Sequence, residues 1–235
     1  PEYAGNGLDF ISLTDHRTIS QRSDPDHASS SLVLVGGEEF GSAGHAGVHG
    51  ASDYVDHDPG GDGVTLEDYV AAIVQAHDLG GTFSPNHPFL EDIPFPWDTE
   101  GHDGIEVWNS GWGLMAPVMT EEALAEWEGM HGEASLLYRR AVQEQGGLSS
   151  MQALAWYEAK LSRGLHEALI GGSDRHAVLP IGFPTTWVRA SEPSEAGVVQ
   201  AIRDMRTFVS RSPVAGQLLV EVETGGRTFG MGEAI

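Results

Sequence analysis

Four apolar runs in this chain of 235 residues end in a group of histidine and acidic residues, and this repeated pattern most constrains the fold. Short apolar runs are typical of buried strands, and polar groups at the carboxyl ends of parallel strands share one mouth. The groups that follow the four runs are Thr14-Asp15-His16, Gly36-Gly37-Glu38-Glu39, Pro85-Asn86-His87-Pro88 and Gly171-Gly172-Ser173-Asp174-Arg175-His176. The repetition predicts a single polar site built from several strand ends.

The residue types in these groups point to a metal ion. Asp174 and His176 are two residues apart, so on a strand both side chains lie on one face. A carboxylate beside an imidazole is a ligand pair suited to zinc, manganese or iron. A single histidine at a strand end is more often a hydrogen-bonded structural residue, but several such groups together favour ligation. Because the chain contains no cysteine, any metal must be held by histidine and carboxylate.

The charge balance limits the partners of the chain. There are 35 acidic and 12 basic residues, for a formal net charge of −23, which argues against nucleic acid and anionic membranes as primary partners. No apolar run approaches the roughly 20 residues of a membrane span. We therefore expect a small-molecule substrate, no nucleic acid and no membrane, whereas the oligomeric state and the cellular compartment stay open.

Strand and helix patterns alternate along the chain. Leu66, Tyr69, Val70, Ile73 and Val74 repeat at helical spacing after Thr65, a suitable N-cap, and residues 194–205 form another amphipathic pattern. Between residues 109 and 167 the sequence predicts two further helices, one capped by Thr120 and one through residues 149–161. This alternation favours a parallel sheet, closed or open, in one domain over 1–235. Residues 207–235 are expected to be closing strands, with the possible start of a small β appendage.

Taken in order, these groups resemble the motifs of the PHP (polymerase and histidinol phosphatase) family. Trp187-Val188-Arg189-Ala190 and Arg206-Thr207-Phe208-Val209-Ser210 look like the branch of CehA/McbA-like metallohydrolases. The resemblance implies an α/β fold, a distorted (β/α)7 TIM-like barrel, with two or three divalent ions (zinc, manganese or iron) at its mouth. The family opens with a His-x-His on its first strand, which should lie upstream of Tyr3. Either this chain lacks an N-terminal segment that carries the strand, which we favour, or the protein has lost the strand and two ligands. In both cases we expect the chain to hold its metals less completely.

The resemblance also implies roles for single residues. The implied metal ligands are His16, Glu39, His45, His87, Asp174 and His176. Glu39 would be the bridging carboxylate, with Glu38 facing away from the site. Asp15 matches a position that orients imidazoles. Arg175 would clamp an anionic group, and a plain salt bridge is the alternative for this residue. The expected catalytic residues are Asp15, Arg175 and His176. His49 could join the site through its period-two spacing from His45. The other histidines are interpreted as surface or satisfied core residues: His27, His57, His77, His102, His131 and His166.

Three functions remain open on this reading. The leading one is a metal-dependent phosphoesterase that uses a metal-bridged hydroxide. The second is a carboxyl or carbamate ester hydrolase, as the branch implies. The third is a metal-binding module whose active site has decayed, suggested by the absent His-x-His. A phosphatase should show at least two cationic residues near the metals, whereas an ester hydrolase should show an apolar pocket.

Overall fold

The structure is a computed structural model that describes residues 7–41, 44–58, 64–90, 93–110, 149–175, 181–217, 219–230 and 233. The predicted helix that Thr120 caps lies outside the described residues, and so does His176. No helix in the described ranges combines the length and apolar character needed to cross a bilayer.

The largest sheet has four strands in chain order. β1 (Phe10–His16) pairs in parallel with β2 (Val33–Phe40), and the register places His16 opposite Glu39. β3 (Ala46–His49) runs antiparallel to β2, and β4 (Thr82–Pro85) runs antiparallel to β3. Three of the four predicted apolar runs therefore form strands of one sheet, β1, β2 and β4.

Three two-stranded sheets follow. β5 (Gly104–Asn109) and β6 (Ala168–Gly172) are parallel, whereas β7 (Thr185–Val188) and β8 (Thr207–Ser210) are antiparallel. β9 (Val222–Thr224) and β10 (Arg227–Phe229) form a short hairpin. β4 contacts β5, and β6 contacts both β7 and β8. These contacts bring the ends of β4, β5 and β6 next to one another.

The helices of the described residues pack on these sheets. In the first of them Tyr69 and Ile73 are buried, as the sequence pattern predicts, but Leu66, Val70 and Val74 of the same pattern are exposed. α1 (Leu66–Asp78) begins with a capping box, in which Thr65 and Asp68 satisfy each other's backbone N–H groups. α2 spans Ser149–Ser162, and α3 (Glu195–Arg203) begins at the N-cap Ser194. A 3₁₀ turn covers Ser20–Ser23. The main core contains Phe40, Val48, Phe83, Phe95, Ile105 and Trp156, and a second cluster contains Val35, Ala168, Ile170, Val198 and Ile202.

The predicted distorted (β/α)7 TIM-like barrel is wrong. The described residues form three helices and four separate small sheets of mixed direction, with no closed ring of strands. The main physical reason is the link between β2 and β3, residues 41–45. A parallel crossover needs a dozen or more residues, so this link can only reverse the chain into a hairpin. Of the closing strands predicted over residues 207–235, β8, β9 and β10 are present, whereas residues 219–221 do not form a strand.

Candidate metal centre

The centre of the site is the carboxylate of Glu39, which lies near the end of β2 and is 5 % exposed. Its strand neighbours are His16 on β1 and Gly47 on β3. The adjacent Glu38 points to the other face of the sheet, where its Oε1 accepts a hydrogen bond of 2.7 Å from the backbone N–H of Val55. Successive strand residues alternate between faces, so only one of the two glutamates belongs to the site.

Three histidines converge on Glu39 from three different strand ends. His16 Nδ1 lies 3.1 Å from Glu39 Oε2. On the other oxygen, Oε1, His45 Nδ1 lies at 3.2 Å and His87 Nε2 at 3.3 Å. The ring of His45 stands edge-on to both other rings, with centroids 5.2 Å from His16 and 5.1 Å from His87. The structure thus brings four of the six predicted ligands into one cluster.

The charge of Glu39 is maintained by its surroundings. Burial alone raises the pKa of this carboxyl, but contacts with His45 and His87 and a hydrogen bond from Asn86 outweigh burial and lower the pKa well below its usual value. Asn86 Nδ2 donates to Glu39 Oε1 at 3.1 Å, and Asn86 Oδ1 accepts from the N–H of Gly47 at 3.0 Å. Asn86 therefore ties β4 to β2 and β3 and fixes the orientation of an ionised Glu39.

The residues in this cluster fit a divalent cation. His16, Glu39 and His45 each offer a ligand atom, and these atoms lie within 4.8 Å of one another; the described residues contain no other such trio. Buried His45 Nδ1 makes no hydrogen bond within the described residues, although Glu39 Oε1 is only 3.2 Å away. Two polar atoms that approach without hydrogen-bond geometry can both direct lone pairs at a third partner. Imidazole and carboxylate are ligands that zinc and manganese accept.

Asp174 lies on the far side of the same region, and two residues that sequence reasoning missed connect it to His87. Asn109 Nδ2 donates to Asp174 Oδ2 at 3.3 Å and to Glu106 Oε2 at 3.1 Å. Glu106 Oε2 also accepts from the N–H of His87 at 2.6 Å. Burial, with smaller contributions from the charges of Asp174 and Glu39, raises the pKa of Glu106 to about 8. The sequence signal for Glu106 was an acidic residue inside an otherwise apolar strand.

The backbone at the strand ends is unusual. His87 has a φ of 28° and Asp174 a φ of 45°, and Arg17, directly after His16, has a φ of 52°. Residues other than glycine in this region carry strain of about 1–3 kcal/mol each and concentrate at functional sites. The chain therefore tolerates unfavourable backbone conformations at two of the predicted ligands and directly after a third.

The other described residues predicted for the site are Asp15, Arg175 and His49. Asp15 is exposed and alternates with His16 on β1, and within the described residues it makes no hydrogen bond to an imidazole. Arg175 is exposed and lines the cavity described below. His49 Nδ1 lies 2.8 Å from Ser12 Oγ, and burial lowers the pKa of His49 to about 4. His49 is therefore a neutral neighbour of the cluster in this structure, and the roles of Asp15 and Arg175 stay predictions.

A cavity of about 1100 Å³ opens beside the cluster. Glu39, His16, Glu106 and Asp174 contribute to its wall. The rest of the wall mixes polar side chains with apolar ones, among them Phe10, Leu13, Ile170, Pro184, Trp187 and Val198. The cluster thus lies at the edge of a space large enough for a small-molecule substrate.

No protein-family model matches the sequence, and no curated protein matches it. A solved structure similar to the chain is that of a two-domain protein from Bacteroides vulgatus, described as containing a predicted PHP-like metal-dependent phosphoesterase. The match has 21% sequence identity and a TM-score of 0.48. It covers 90% of this chain and 58% of that chain, so this chain spans little more than half the length of its neighbour. A likeness of this degree establishes neither a common fold nor a common activity.

Proposed function

We propose that this chain is a metal-dependent hydrolase that acts on phosphoesters. The observation that carries the proposal is the convergence of His16, His45 and His87 on the buried carboxylate of Glu39, at distances of 3.1–3.3 Å. Ring nitrogens and an ionised carboxylate are ligands that a divalent cation accepts. Among the described residues, the ion-pair partners of Glu39 are histidines alone.

The residues of such a site would have different roles. His16, Glu39 and His45 would hold a cation, with His87 beside them. When bound, the cation supplies an activated water nucleophile and neutralises charge that develops on a phosphoryl oxygen. Asn86 holds the Glu39 carboxylate in place through Nδ2, and such supporting contacts raise ligand strength and fix ligand orientation. The cavity receives the substrate next to the ligands, and Arg175 on its wall carries a positive charge that suits an anionic group.

A second candidate function, hydrolysis of a carboxyl or carbamate ester, is favoured by the lining of the cavity. Among the described lining residues Arg175 is the one arginine or lysine, and the remaining wall combines apolar side chains with uncharged polar and acidic ones. A phosphoester carries negative charge that two or more cationic groups usually meet. A neutral ester with an apolar substituent needs none of these charges and would bury its substituent against the apolar side chains of the wall.

Both candidates are tested with one pair of substrates. We expect the purified chain, loaded with Mn²⁺ or Zn²⁺, to hydrolyse bis(p-nitrophenyl) phosphate, and this turnover to stop when a chelator removes the cation. p-Nitrophenyl butyrate is the matched carboxyl ester with the same chromophore, and cation without protein is the blank. Turnover of the carboxyl ester alone would replace the first function by the second. If the chain binds cations but turns over neither substrate, hydrolysis is contradicted and a decayed metal-binding module is left.

A further inference from the structure

Glu106 lies in the wall of the cavity and uses only one of its carboxylate oxygens within the protein. The side chain belongs to β5 and is 5 % exposed. Its Oε2 accepts from the N–H of His87 at 2.6 Å and from Asn109 Nδ2 at 3.1 Å. One oxygen thus connects the end of β4 to β5 and, through Asn109, to Asp174 after β6.

The second oxygen of Glu106, Oε1, has no hydrogen-bond donor in the described part of the chain. It faces the strand end at Gly172, where a Cβ atom would overlap Glu106 Oε1. Glycine at position 172 therefore keeps the space in front of this oxygen open, and Glu106, Gly172 and Asp174 all line the cavity. Oε1 therefore borders the cavity without a donor from the described residues, and it is available to a partner bound there.

The charges around Glu106 identify the chemistry of that partner. Glu39 and Asp174 line the same cavity as Glu106. Carboxylates that share one wall repel one another when they are ionised, unless a cation lies among them. A neutral hydrogen-bond donor would satisfy Oε1 but would leave this repulsion in place.

We propose that Glu106 is a further cation ligand, which binds a divalent ion on the Asp174 side of the cavity through Oε1. This inference rests on the proposed function, because it assigns another carboxylate to the same metal centre. Glu106 would then have two tasks at once. Oε2 positions His87 and Asn109, and Oε1 contacts the ion.

The substitution Glu106→Gln separates the two tasks. The amide oxygen of glutamine can replace Oε2 and accept from His87 and Asn109, whereas its NH₂ group replaces Oε1 and turns a donor toward the cation. We expect Mn²⁺ affinity, measured by calorimetric titration of the full chain, to fall at least about tenfold, the scale of losses at residues supporting metal sites. The melting temperature of the cation-free protein should stay close to that of the parent, because glutamine can keep the hydrogen bonds from His87 and Asn109. The loss of a purely structural role would lower the melting temperature, which the expected result does not.

Glu38→Gln is the matched control. Glu38 is a buried glutamate with one hydrogen-bonded oxygen, and its Oε2 has no partner within the described residues, but it lies on the other face of β2. The control should keep the parental Mn²⁺ affinity. If E106Q folds poorly, Glu106→Asp is compared with Glu106→Asn, which has the same length without the charge. The aspartate variant should then bind Mn²⁺ at least about tenfold more tightly than the asparagine variant.

The outcomes distinguish this inference from the proposed function. Parental Mn²⁺ affinity in E106Q, or equal affinities of the aspartate and asparagine variants, would overturn the role of Glu106 and leave the metal centre at Glu39 intact. Absence of cation binding in the unsubstituted chain would instead overturn the proposed function and this inference with it.

Discussion

Replacing Glu39 by glutamine should reduce both cation affinity and cation-dependent turnover by more than about 100-fold. Removing a residue that only supports a metal ligand typically lowers metal affinity or activity about 10–100-fold. Glu39 should matter more, because it is the group on which all three histidines converge. Glutamine has the same shape but offers one neutral oxygen in place of two charged ones. The measurements are calorimetric titration with Mn²⁺ and steady-state hydrolysis at saturating Mn²⁺.

Glu38→Gln is the control for this experiment as well. The Glu38 carboxylate accepts a hydrogen bond from the N–H of Val55 on the face of β2 opposite Glu39, and glutamine can keep that hydrogen bond through its oxygen. The Mn²⁺ affinity and the turnover should therefore stay within about threefold of the parent, which corresponds to a free-energy change of about 0.5 kcal/mol, typical of substitutions away from a functional contact. Equal losses in the two variants would show that the assignment of faces on β2 is wrong.

Replacing Lys160 by methionine should lower the free energy of unfolding by about 3–5 kcal/mol, the cost of removing one partner from a buried ion pair. Lys160 is the sole lysine of the chain and is only 3 % exposed. Its Nζ lies 2.6 Å from Glu167 Oε1, 2.9 Å from His102 Nε2 and 4.8 Å from the ring centroid of Trp156. Without the ammonium group, Glu167 would be a buried carboxylate that lacks a counter-charge.

Urea denaturation followed by tryptophan fluorescence measures this loss. Arg163→Met, a nearby exposed cation beyond the end of α2, is the control and should change stability by no more than about 0.5 kcal/mol. The double variant Lys160→Met with Glu167→Gln removes both charges and should recover at least half of the loss, because the uncompensated charge causes most of it. Additive losses in the double variant would contradict this explanation.

The sequence was informative where strand geometry determines the outcome. β1 and β2 pair in parallel, so His16 and Glu39, each close to the end of its apolar run, lie opposite each other in the register. The family resemblance implied that Glu38 faces away from the site, and the contact of Glu38 with Val55 agrees. The helices over residues 66–78 and 195–203 follow from their amphipathic spacing and N-caps.

The sequence was misleading where the outcome depends on how distant segments pack. Alternating strands and helices suggested a parallel barrel, yet β3 and β4 are antiparallel, and the described strands divide among four sheets. Glu106 and Asn109 were missed because their partners, His87 and Asp174, are distant in sequence. His102 was interpreted as a surface or satisfied core residue, and only the fold shows that it is buried against Lys160 and Glu167. No local pattern encodes contacts of this kind.

The most direct test of the metal centre is anomalous scattering from crystals of the chain grown with Mn²⁺ or Zn²⁺. We expect an anomalous peak at about 2.0–2.2 Å from ring nitrogens of His16 and His45 and from a carboxylate oxygen of Glu39, the distances of ordinary coordination by these ligands. A structure in which the cation is bound at surface carboxylates only, with His16, Glu39 and His45 in contact and no peak between them, would contradict the assignment of this cluster as a metal centre.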